Sequence, residues 1–490
     1  MLGQGSQPDP IRSKAPTAVR GRSVRLGAWP LVAALAVAAA VWGVLDVRQR
    51  GRSNPADPQS HMTDFTVYTE AGAAFFDGRP PYEVANLRGW KYYYPPMFAL
   101  VVAPLHPLAT EDQVTVWFLL SLLACWGCYR ESRRILGALG EEDSSLAGRL
   151  RAWFPLLAVA VLAAAMLPAL NCLQRGQVGI VKLYLVLLGF RLIVENRSWW
   201  GSLLGGVVLA APIVLKLTPL LPVCFVLFVE LVAILAARRA RQPLAPRPWR
   251  PLVAASLGLS TGLVLLVFLV PATLIGWDNN LRHLGTFSRL VLTAFNGAEA
   301  DRYGGNLRSP RNQSLINGVY RAGNWAGYAL AGGPNDALAT IPAPPPMPMD
   351  TPAVGEALFV VRVGLLLALL AVGVRLGREG DRLGLAAGLG LGSMAMLVVS
   401  PVSWGHHFVF LVPPVLFVPL WLDRRGARAA ATVMAVVPGL LTVLHYAVLD
   451  WAGRGGLLAF GCTAWFLAAC VLVAAAESGS YGLKPALQTA

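Results

Sequence analysis

The sequence predicts an all-α polytopic membrane protein that crosses the bilayer about a dozen times. Of its 490 residues, 56% are hydrophobic and only 14% are charged, and the mean hydropathy is +0.55. A soluble protein is close to half apolar and a quarter charged, so this composition favours a membrane protein. Apolar stretches recur along the chain, and arginine clusters lie at alternate ends of them.

A transmembrane helix needs about 20 predominantly apolar residues. The stretch at 202–215 is short and the next one begins almost at once, so a bent or partial span is expected there. The predicted spans are 28–46, 113–130, 152–170, 178–194, 202–215, 219–237, 252–273, 356–375, 383–400, 407–422, 429–447 and 456–475.

The arginines predict the orientation of these spans. Lys and Arg are enriched in cytoplasmic loops, and the clusters at 130–134, 238–250 and 424–428 therefore place both termini in the cytoplasm. The arginines at 48–52 are the exception, because they follow the first span on its predicted outer side. The net charge of +15 reflects this orientation signal and predicts no nucleic-acid partner.

The chain divides into a membrane domain and two tails. Residues 1–27 are predicted to be a disordered basic cytoplasmic tail, 28–475 the transmembrane domain, and 476–490 a second cytoplasmic tail. Two outer loops are long, at 47–112 and 274–355. The second is long enough for a small subdomain, and it ends in a proline-rich tether.

No motif indicates a metal or a nucleotide cofactor. The six cysteines show neither a disulfide framework nor zinc-site spacing, and Cys125 and Cys128 lie inside an apolar helix where packing is their expected role. A GxGxxG fingerprint and a Walker loop are both absent from the sequence. The remaining polar candidates lie on the predicted outer side.

Asp64 has two open interpretations. A carboxylate in a partly dehydrated cleft at the membrane surface can accept a proton from a hydroxyl. However, Thr63 and Asp64 also precede an apolar-periodic stretch at 65–76, and Asp is a common helix N-cap.

Lys216, in the motif LKLTP, stands between two apolar runs. A lysine there is costly unless it meets water or an anion, and Pro219 favours a break in the helix. A cation at a broken helix end suits a phosphate. The alternative is a lysine that extends its ammonium group to the membrane interface.

His406 and His407 lie at the entrance of a predicted span. Adjacent residues point apart on a helix, and further zinc ligands at suitable spacing are missing from the sequence. Donation to a phosphate or to sugar hydroxyls is the functional interpretation. An interfacial histidine pair without a function is the alternative.

Gln177, Arg311 and Asn312 offer amide and guanidinium donors on the outer side, which suit hydroxyl and phosphate oxygens. Loop residues of these types are otherwise simply solvated. The aromatic run at 90–94 suits stacking on a sugar, but an interfacial aromatic belt is expected for most of its members. Glu230, deep in a span, is the natural ion-coupling group of a transporter.

Together these groups suit the transfer of a sugar from a lipid monophosphate to a hydroxyl. One carboxylate deprotonates the acceptor, while Lys, Arg and His stabilise the departing phosphate without a metal. The paired carboxylates of a retaining glycosidase are missing, so the transfer is expected to invert the configuration of the sugar.

Six motifs carry a family resemblance. They are DGRPPY and YYPP downstream of Asp64, RGQVG, KLTP, NQSL and SPVSWGHH. The chain resembles the bacterial polyprenol-phosphate-mannose-dependent mannosyltransferases of the GT-C superfamily over most of residues 60–420. The order and the placement of the six motifs carry this resemblance. A member of that family transfers mannose in the assembly of phosphatidylinositol mannosides.

The resemblance implies a GT-C fold with a catalytic first outer loop. It implies Asp64 as the base and Lys216 with His406 or His407 as contacts of the donor, and Gln177, Arg311 and Asn312 are predicted as further donor contacts. The expected function is an inverting glycosyltransferase of the outer face of the plasma membrane. It uses a polyprenyl-phosphate sugar, mannose by default, and a lipid or glycan acceptor.

Two alternatives remain open at this stage. The first keeps the mechanism and uses a polyprenyl-phosphate arabinofuranose donor. The second is a secondary transporter or lipid flippase, with Glu230 as its functional charge. Such a protein would show two matching halves, and the sequence shows no partner half.

Overall fold

The computed structural model of the protein describes residues 29–142, 144–196, 198–240, 249–292, 311–330, 352–448, 453 and 455–476. Within these ranges the chain forms helices, turns and two isolated bridges, without a strand. The all-α prediction is therefore confirmed. The predicted tails at 1–27 and, apart from Ala476, at 476–490 lie outside the described residues, as do most of the proline-rich tether and much of the second long loop.

Seventeen helices account for most of the described chain. They are α1 (Trp29–Gly51), α2 (Phe65–Phe76), α3 (Pro96–Val102), α4 (Thr110–Glu142), α5 (Ser144–Arg175), α6 (Gly179–Asn196), α7 (Trp199–Leu215), α8 (Leu220–Arg239), α9 (Trp249–Leu263), α10 (Val270–Ile275), α11 (Trp277–Phe287), α12 (Leu315–Leu330), α13 (Pro352–Gly377), α14 (Arg382–Val399), α15 (Val412–Arg424), α16 (Arg428–Ala447) and α17 (Leu457–Ala475). A π-helical segment, Val264–Leu269, joins α9 to α10, and a 3-10 segment, Gly405–Leu411, leads into α15.

Ten of the twelve predicted spans coincide with one helix each, whereas 252–273 covers α9, the π-helical segment and α10, and 407–422 covers the 3-10 segment and α15. In the described part, eight helices are long and apolar enough to cross a membrane, and α3 with α4, bent by 116°, adds a ninth if the pair is one span. The prediction of a polytopic membrane protein is confirmed. Helix α7 has only 17 residues, as the short apolar stretch indicated, and α6 contains three charged side chains, Lys182, Arg191 and Glu195.

The centre of the bundle is formed by α14 and by the continuous segment 405–424. Nearly all of their side chains are buried. Glycines on α14 allow this close packing, since a Cβ added to Gly390 would lie 3.0 Å from Pro414 Cα. The central position of 405–424 brings His406 and His407 into the interior at one end of the bundle.

The first long loop folds against that same end. Helix α2 packs on α3, and a Cβ on Gly72 would lie 2.5 Å from the carbonyl oxygen of Ala99, so a larger residue cannot be accommodated. Two of the arginines that depart from the orientation pattern have local partners, since Arg48 pairs with Asp112 and Arg50 with Asp46. The charges of Arg48 and Arg50 are thus balanced locally.

Candidate active site

Asp64 stands at the start of α2, but its side chain does not cap the helix. The carboxylate instead accepts hydrogen bonds from Arg175, with Nε 2.9 Å from Oδ2 and Nη2 2.9 Å from Oδ1. Gln177 Nε2 also donates to Oδ2. The capping interpretation is therefore wrong for this side chain, which is committed to a polar site between α2 and the turn after α5.

That turn explains why RGQVG carries these partners. Helix α5 ends at Arg175, Gly176 adopts φ of +66°, and α6 begins at Gly179. A Cβ at position 176 would lie 2.6 Å from Phe65 Cβ, so only glycine permits the turn to pack on the start of α2. The Asp64 N–H donates to the Arg175 carbonyl at 2.9 Å, which fixes the register.

The guanidinium of Arg175 is held from a second direction by an aromatic ring. Its Cζ lies 4.9 Å from the centroid of Trp90, and Arg88 lies 4.8 Å from the same ring. Such cation–π contacts contribute roughly 0.5–1 kcal/mol at accessible sites and more when desolvated. Trp90 therefore helps to keep Arg175 directed at Asp64.

Two tyrosines extend the site beyond Gln177. The hydroxyls of Tyr68 and Tyr94 lie 3.1 Å apart, and each is 3.4 Å from Gln177 Oε1. Burial, with further contributions from Tyr94 and Asp64, raises the pKa of Tyr68 well above its ordinary value. Its hydroxyl consequently keeps its proton and acts as a donor at neutral pH.

The aromatic run at 90–94 is more buried than the sequence suggested. Tyr92 and Tyr94 are buried and pack with Tyr68 and Phe98. The interfacial-belt expectation is wrong for Tyr92 and Tyr94. They form the wall of the site instead, because the loop folds back onto the bundle and covers them.

Lys216 lies on the opposite side of Tyr94. Helix α7 ends at Leu215 and α8 begins at Leu220, so the predicted helix break is present. The ammonium is 3.4 Å from the Tyr94 hydroxyl and 3.0 Å from His407 Nε2. It therefore points into the protein, and the interpretation of a lysine extended towards the interface is wrong.

These contacts connect residues from four separate parts of the chain. We call the connected set the polar network, and it consists of Asp64, Tyr68, Tyr94, Arg175, Gln177, Lys216 and His407.

The two histidines have different surroundings. Both are about 5% exposed, and their rings meet edge to face with centroids 4.6 Å apart. His407 contacts Lys216, whereas Nε2 of His406 has no hydrogen-bond partner among the described residues. The structure thus brings His407 into the polar network and places His406 directly beside it.

Asn312 and Arg311 differ in their exposure to solvent. Asn312 is fully buried, and its Oδ1 accepts hydrogen bonds from the N–H groups of Ser403, at 3.0 Å, and Ser314, at 3.2 Å. It thereby holds the loop that leads to the histidines. Arg311 is exposed. A role for either in donor binding stays a prediction.

Sequence reasoning missed Lys182. This lysine lies in the first turn of α6, is 2% exposed, and donates to Thr218 Oγ1 at 3.1 Å. It lies within the predicted span 178–194, whose other residues are mostly apolar. The signal that singled out Lys216, a lysine inside an apolar run, applied to it equally.

Glu230 is buried in α8, ten residues beyond the start of that helix. At 1.5 Å per residue this places it about 15 Å along the axis from Leu220. The start of α8 is the end nearest to Lys182 and Lys216. Glu230 therefore lies deeper in the bundle than the polar network.

The fold and the network define a multi-pass membrane protein with a charged, preorganised site under a folded loop. The sequence matches Glycosyltransferase family 87 over residues 92–401, and the chain belongs to this family. It is accordingly a membrane glycosyltransferase, which confirms the predicted enzyme class and leaves the transporter alternative without support. The matched region contains Gln177 and Lys216, but it begins after Asp64 and ends before His406.

One curated relative is informative. The chain is 27% identical over 383 residues to the polyprenol-phosphate-mannose-dependent alpha-(1-2)-phosphatidylinositol pentamannoside mannosyltransferase of Mycolicibacterium smegmatis, and the alignment covers 74% of this chain and 73% of the relative. No solved structure matches the chain. The predicted resemblance to this mannosyltransferase family is confirmed.

Proposed function

We propose that the protein transfers mannose from a polyprenyl phosphate to a hydroxyl of a lipid or glycan acceptor, with inversion, at the outer face of the plasma membrane. The observation that carries this proposal is the connection of Asp64 to Lys216 through Gln177 and Tyr94. A base and a phosphate-binding cation are thereby held in one site.

The carboxylate of Asp64 has one lone-pair site left, which can accept a hydrogen bond from the hydroxyl of the acceptor substrate. A carboxylate offers about four lone-pair sites, and Arg175 and Gln177 occupy three of them, two on Oδ2 and one on Oδ1. The acceptor hydroxyl approaches Oδ1. The hydroxyl oxygen attacks the anomeric carbon, and its proton passes to Asp64.

Lys216 and His407 act on the other side of the sugar. As the bond from the anomeric carbon to the phosphate oxygen breaks, its electron pair stays on that oxygen. The ammonium of Lys216 stabilises the negative charge, and His407, 3.0 Å away, orients the ammonium. Since phosphate is already a good leaving group, a general acid is not required.

The network contains one carboxylate, which supports inversion. A retaining mechanism uses two carboxyl groups about 5 Å apart, one of them a nucleophile. A single displacement then inverts the anomeric centre.

The proposed sugar donor and the proposed side of the membrane are supported by different observations. The relative is named for a polyprenol-phosphate-mannose donor and a phosphatidylinositol pentamannoside acceptor, and this favours the same donor class here. The alternating arginine clusters favour an outer-facing site. The acceptor is proposed only as a lipid or glycan hydroxyl.

The test is a transfer assay with purified protein and membrane lipids. Radiolabelled polyprenyl-phosphate mannose is expected to label a product whose new linkage has the anomeric configuration opposite to that of the donor. If transfer occurred only from polyprenyl-phosphate arabinofuranose, that donor would replace polyprenyl-phosphate mannose in the proposed function. Retention of configuration, or no transfer from either donor, would overturn the proposed mechanism.

Sidedness is tested with a cysteine at Asp57, an exposed residue of the first long loop. In a background without the native cysteines, a membrane-impermeant maleimide is expected to label Asp57→Cys in intact cells. Labelling that requires permeabilised cells would place the loop, and with it Asp64, in the cytoplasm.

A further inference from the structure

Lys182 is placed where a positive charge is costly. Its side chain is 2% exposed, and burial of a charged group without a partner carries a large desolvation penalty. It lies in the first turn of α6, where the helix dipole is positive. The charge of Lys216 repels it as well.

The described part of the structure provides no acidic partner for either lysine. Lys182 donates to the Thr218 hydroxyl and lies over the ring of Phe410, with its Nζ 5.6 Å from the ring centroid. Neither Lys182 nor Lys216 forms an ion pair with an Asp or Glu among the described residues. Asp64, the carboxylate of the polar network, is engaged by Arg175. A buried lysine and a half-buried lysine therefore lie close together without an ion pair to an Asp or Glu of the described residues.

The two lysines share His407. The imidazole contacts Lys216, and it also lines a cavity of about 10 Å³ together with Lys182, Thr218, Ser400 and Ser403. That volume is about the size of one water molecule, so it also suits one oxygen of a larger ligand. Hydroxyl, imidazole and ammonium groups are the donors that a phosphate oxygen prefers.

We propose that Lys182 stabilises the second negative charge of the departing polyprenyl phosphate. The inference rests on the proposed function. The sugar donor is a phosphodiester with one negative charge, which Lys216 matches. Breaking the bond between the anomeric carbon and the phosphate oxygen leaves a monoester, whose charge at neutral pH approaches −2. Lys182 thus acts on charge that develops during the reaction, and it favours the transition state over the bound donor.

The test compares Lys182→Gln with wild type in the transfer assay. Gln keeps a donor for Thr218 and removes the charge. We expect kcat to fall about 100-fold, and the inhibition constant of undecaprenyl phosphate to rise by a similar factor. The donor KM should change less than about threefold, since the donor carries the single charge that Lys216 binds. Lys91→Gln, at an exposed lysine, is the matched control.

The pH dependence adds a second signature. A phosphate monoester loses its second charge near pH 6. At pH 5 the inhibition constants of wild type and Lys182→Gln should therefore converge, whereas at pH 8 they should differ most. A difference that is independent of pH would overturn the charge assignment.

Other outcomes separate this inference from the proposed function. A donor KM that rises as much as the inhibition constant, or an unchanged kcat, would overturn the role of Lys182 alone. Wild-type protein that neither transfers mannose nor is stabilised against heat by undecaprenyl phosphate would overturn the proposed function itself. If Lys182→Gln does not fold, Thr218→Val tests the same point, with an expected change in the same direction but smaller. No selective change in that variant would overturn the inference.

Discussion

Arg175 holds both carboxylate oxygens of Asp64 through two hydrogen bonds of 2.9 Å. A planar guanidinium fixes the plane and the direction of a carboxylate in a way that a single contact does not. The end of α5 and the start of α2 are therefore held at one distance, although these residues are 111 positions apart. The carboxylate that we propose as the base is thus positioned before any substrate binds, which lowers the entropic cost of reaching the reactive geometry.

Removing the charge of Asp64 should abolish turnover while the donor still binds. For Asp64→Asn we expect kcat to fall by about 10²–10⁴-fold, the range for loss of a general base. The donor KM should stay within about threefold, because Lys216 and His407 are unchanged. Asp57→Asn, at an exposed carboxylate of the same loop, serves as the control. Near wild-type transfer by Asp64→Asn would contradict its assignment as the base.

Replacing Arg175 by lysine tests the bidentate contact between Arg175 and Asp64. Lysine keeps the charge but cannot form two parallel hydrogen bonds, so kcat of Arg175→Lys should fall about 10- to 100-fold through misplacement of the carboxylate. Arg88→Lys is a matched control, since Arg88 also lies over Trp90. Equal decreases of kcat in the two variants would show that the contact with Trp90 matters and the two hydrogen bonds to Asp64 do not.

The Tyr94 hydroxyl links Gln177 to Lys216, and Tyr94→Phe removes this link. A hydrogen bond to a charged group contributes about 1.5–3 kcal/mol, so we expect kcat/KM for the donor to decrease roughly 10- to 100-fold. Tyr82→Phe also removes a buried hydroxyl from the aromatic cluster, but that hydroxyl donates to the Tyr94 carbonyl and contacts neither Gln177 nor Lys216. Kinetic assays that find the same decrease for Tyr82→Phe would refute a specific role for the link.

The backbone before the histidines has room only for glycine at position 405. A Cβ there would lie 2.6 Å from the Tyr446 hydroxyl oxygen, while the next atom, Cζ, is 3.4 Å away. Gly405→Ala should therefore lower activity by displacing the histidine segment. Adding Tyr446→Phe removes the clashing oxygen and should restore most of the activity. Absence of rescue in the double variant, measured in the transfer assay at equal expression, would argue against this steric account.

His61 makes the stability of the first long loop sensitive to acid. Burial, aided by Arg88, lowers the pKa of His61 from its usual 6.5, with Asp64 opposing. Its Nδ1 lies 3.2 Å from the Arg52 carbonyl and its Nε2 2.7 Å from the Thr66 hydroxyl, so the neutral ring is accommodated. Below pH 6.5 the unfolded chain binds the proton first, and stability is lost progressively as the pH falls towards the folded pKa.

Melting temperatures between pH 7.5 and pH 5 check this expectation. Wild type should lose more stability on acidification than His61→Gln, which has no group to protonate there. His106→Gln, at a partly exposed histidine that faces Glu70, controls for general loss of a histidine. If the melting temperatures of wild type and His61→Gln fell in parallel with pH, His61 would not be the cause of the acid sensitivity.

The spans were predictable because the bilayer imposes a length on any helix that crosses it. A run of about 20 apolar residues is a one-dimensional signal, and each predicted span is helical in the structure, two of them with a π or 3-10 segment. Part of the site was predictable for a related reason. Polar groups beside apolar runs are costly, and this singled out Lys216 and the histidine pair.

Other features depended on tertiary structure. The contacts of Asp64 with Arg175 and of Lys216 with His407 join positions separated by 111 and 191 residues. Helical periodicity indicates which face of a helix is apolar but not which neighbour it meets. The chain alone also left Asp64 open between a cap and a base, and it favoured an exposed belt for tyrosines that are buried.

The sequence by itself determined the class of fold, the positions of the long apolar helices, and most of the polar groups that make up the candidate site. The tertiary structure decided which of those groups meet, and it revealed Lys182, which an average over an apolar window conceals. The physical reason is that hydrophobic length acts along the chain, whereas a hydrogen-bonded network exists only after distant helices pack together.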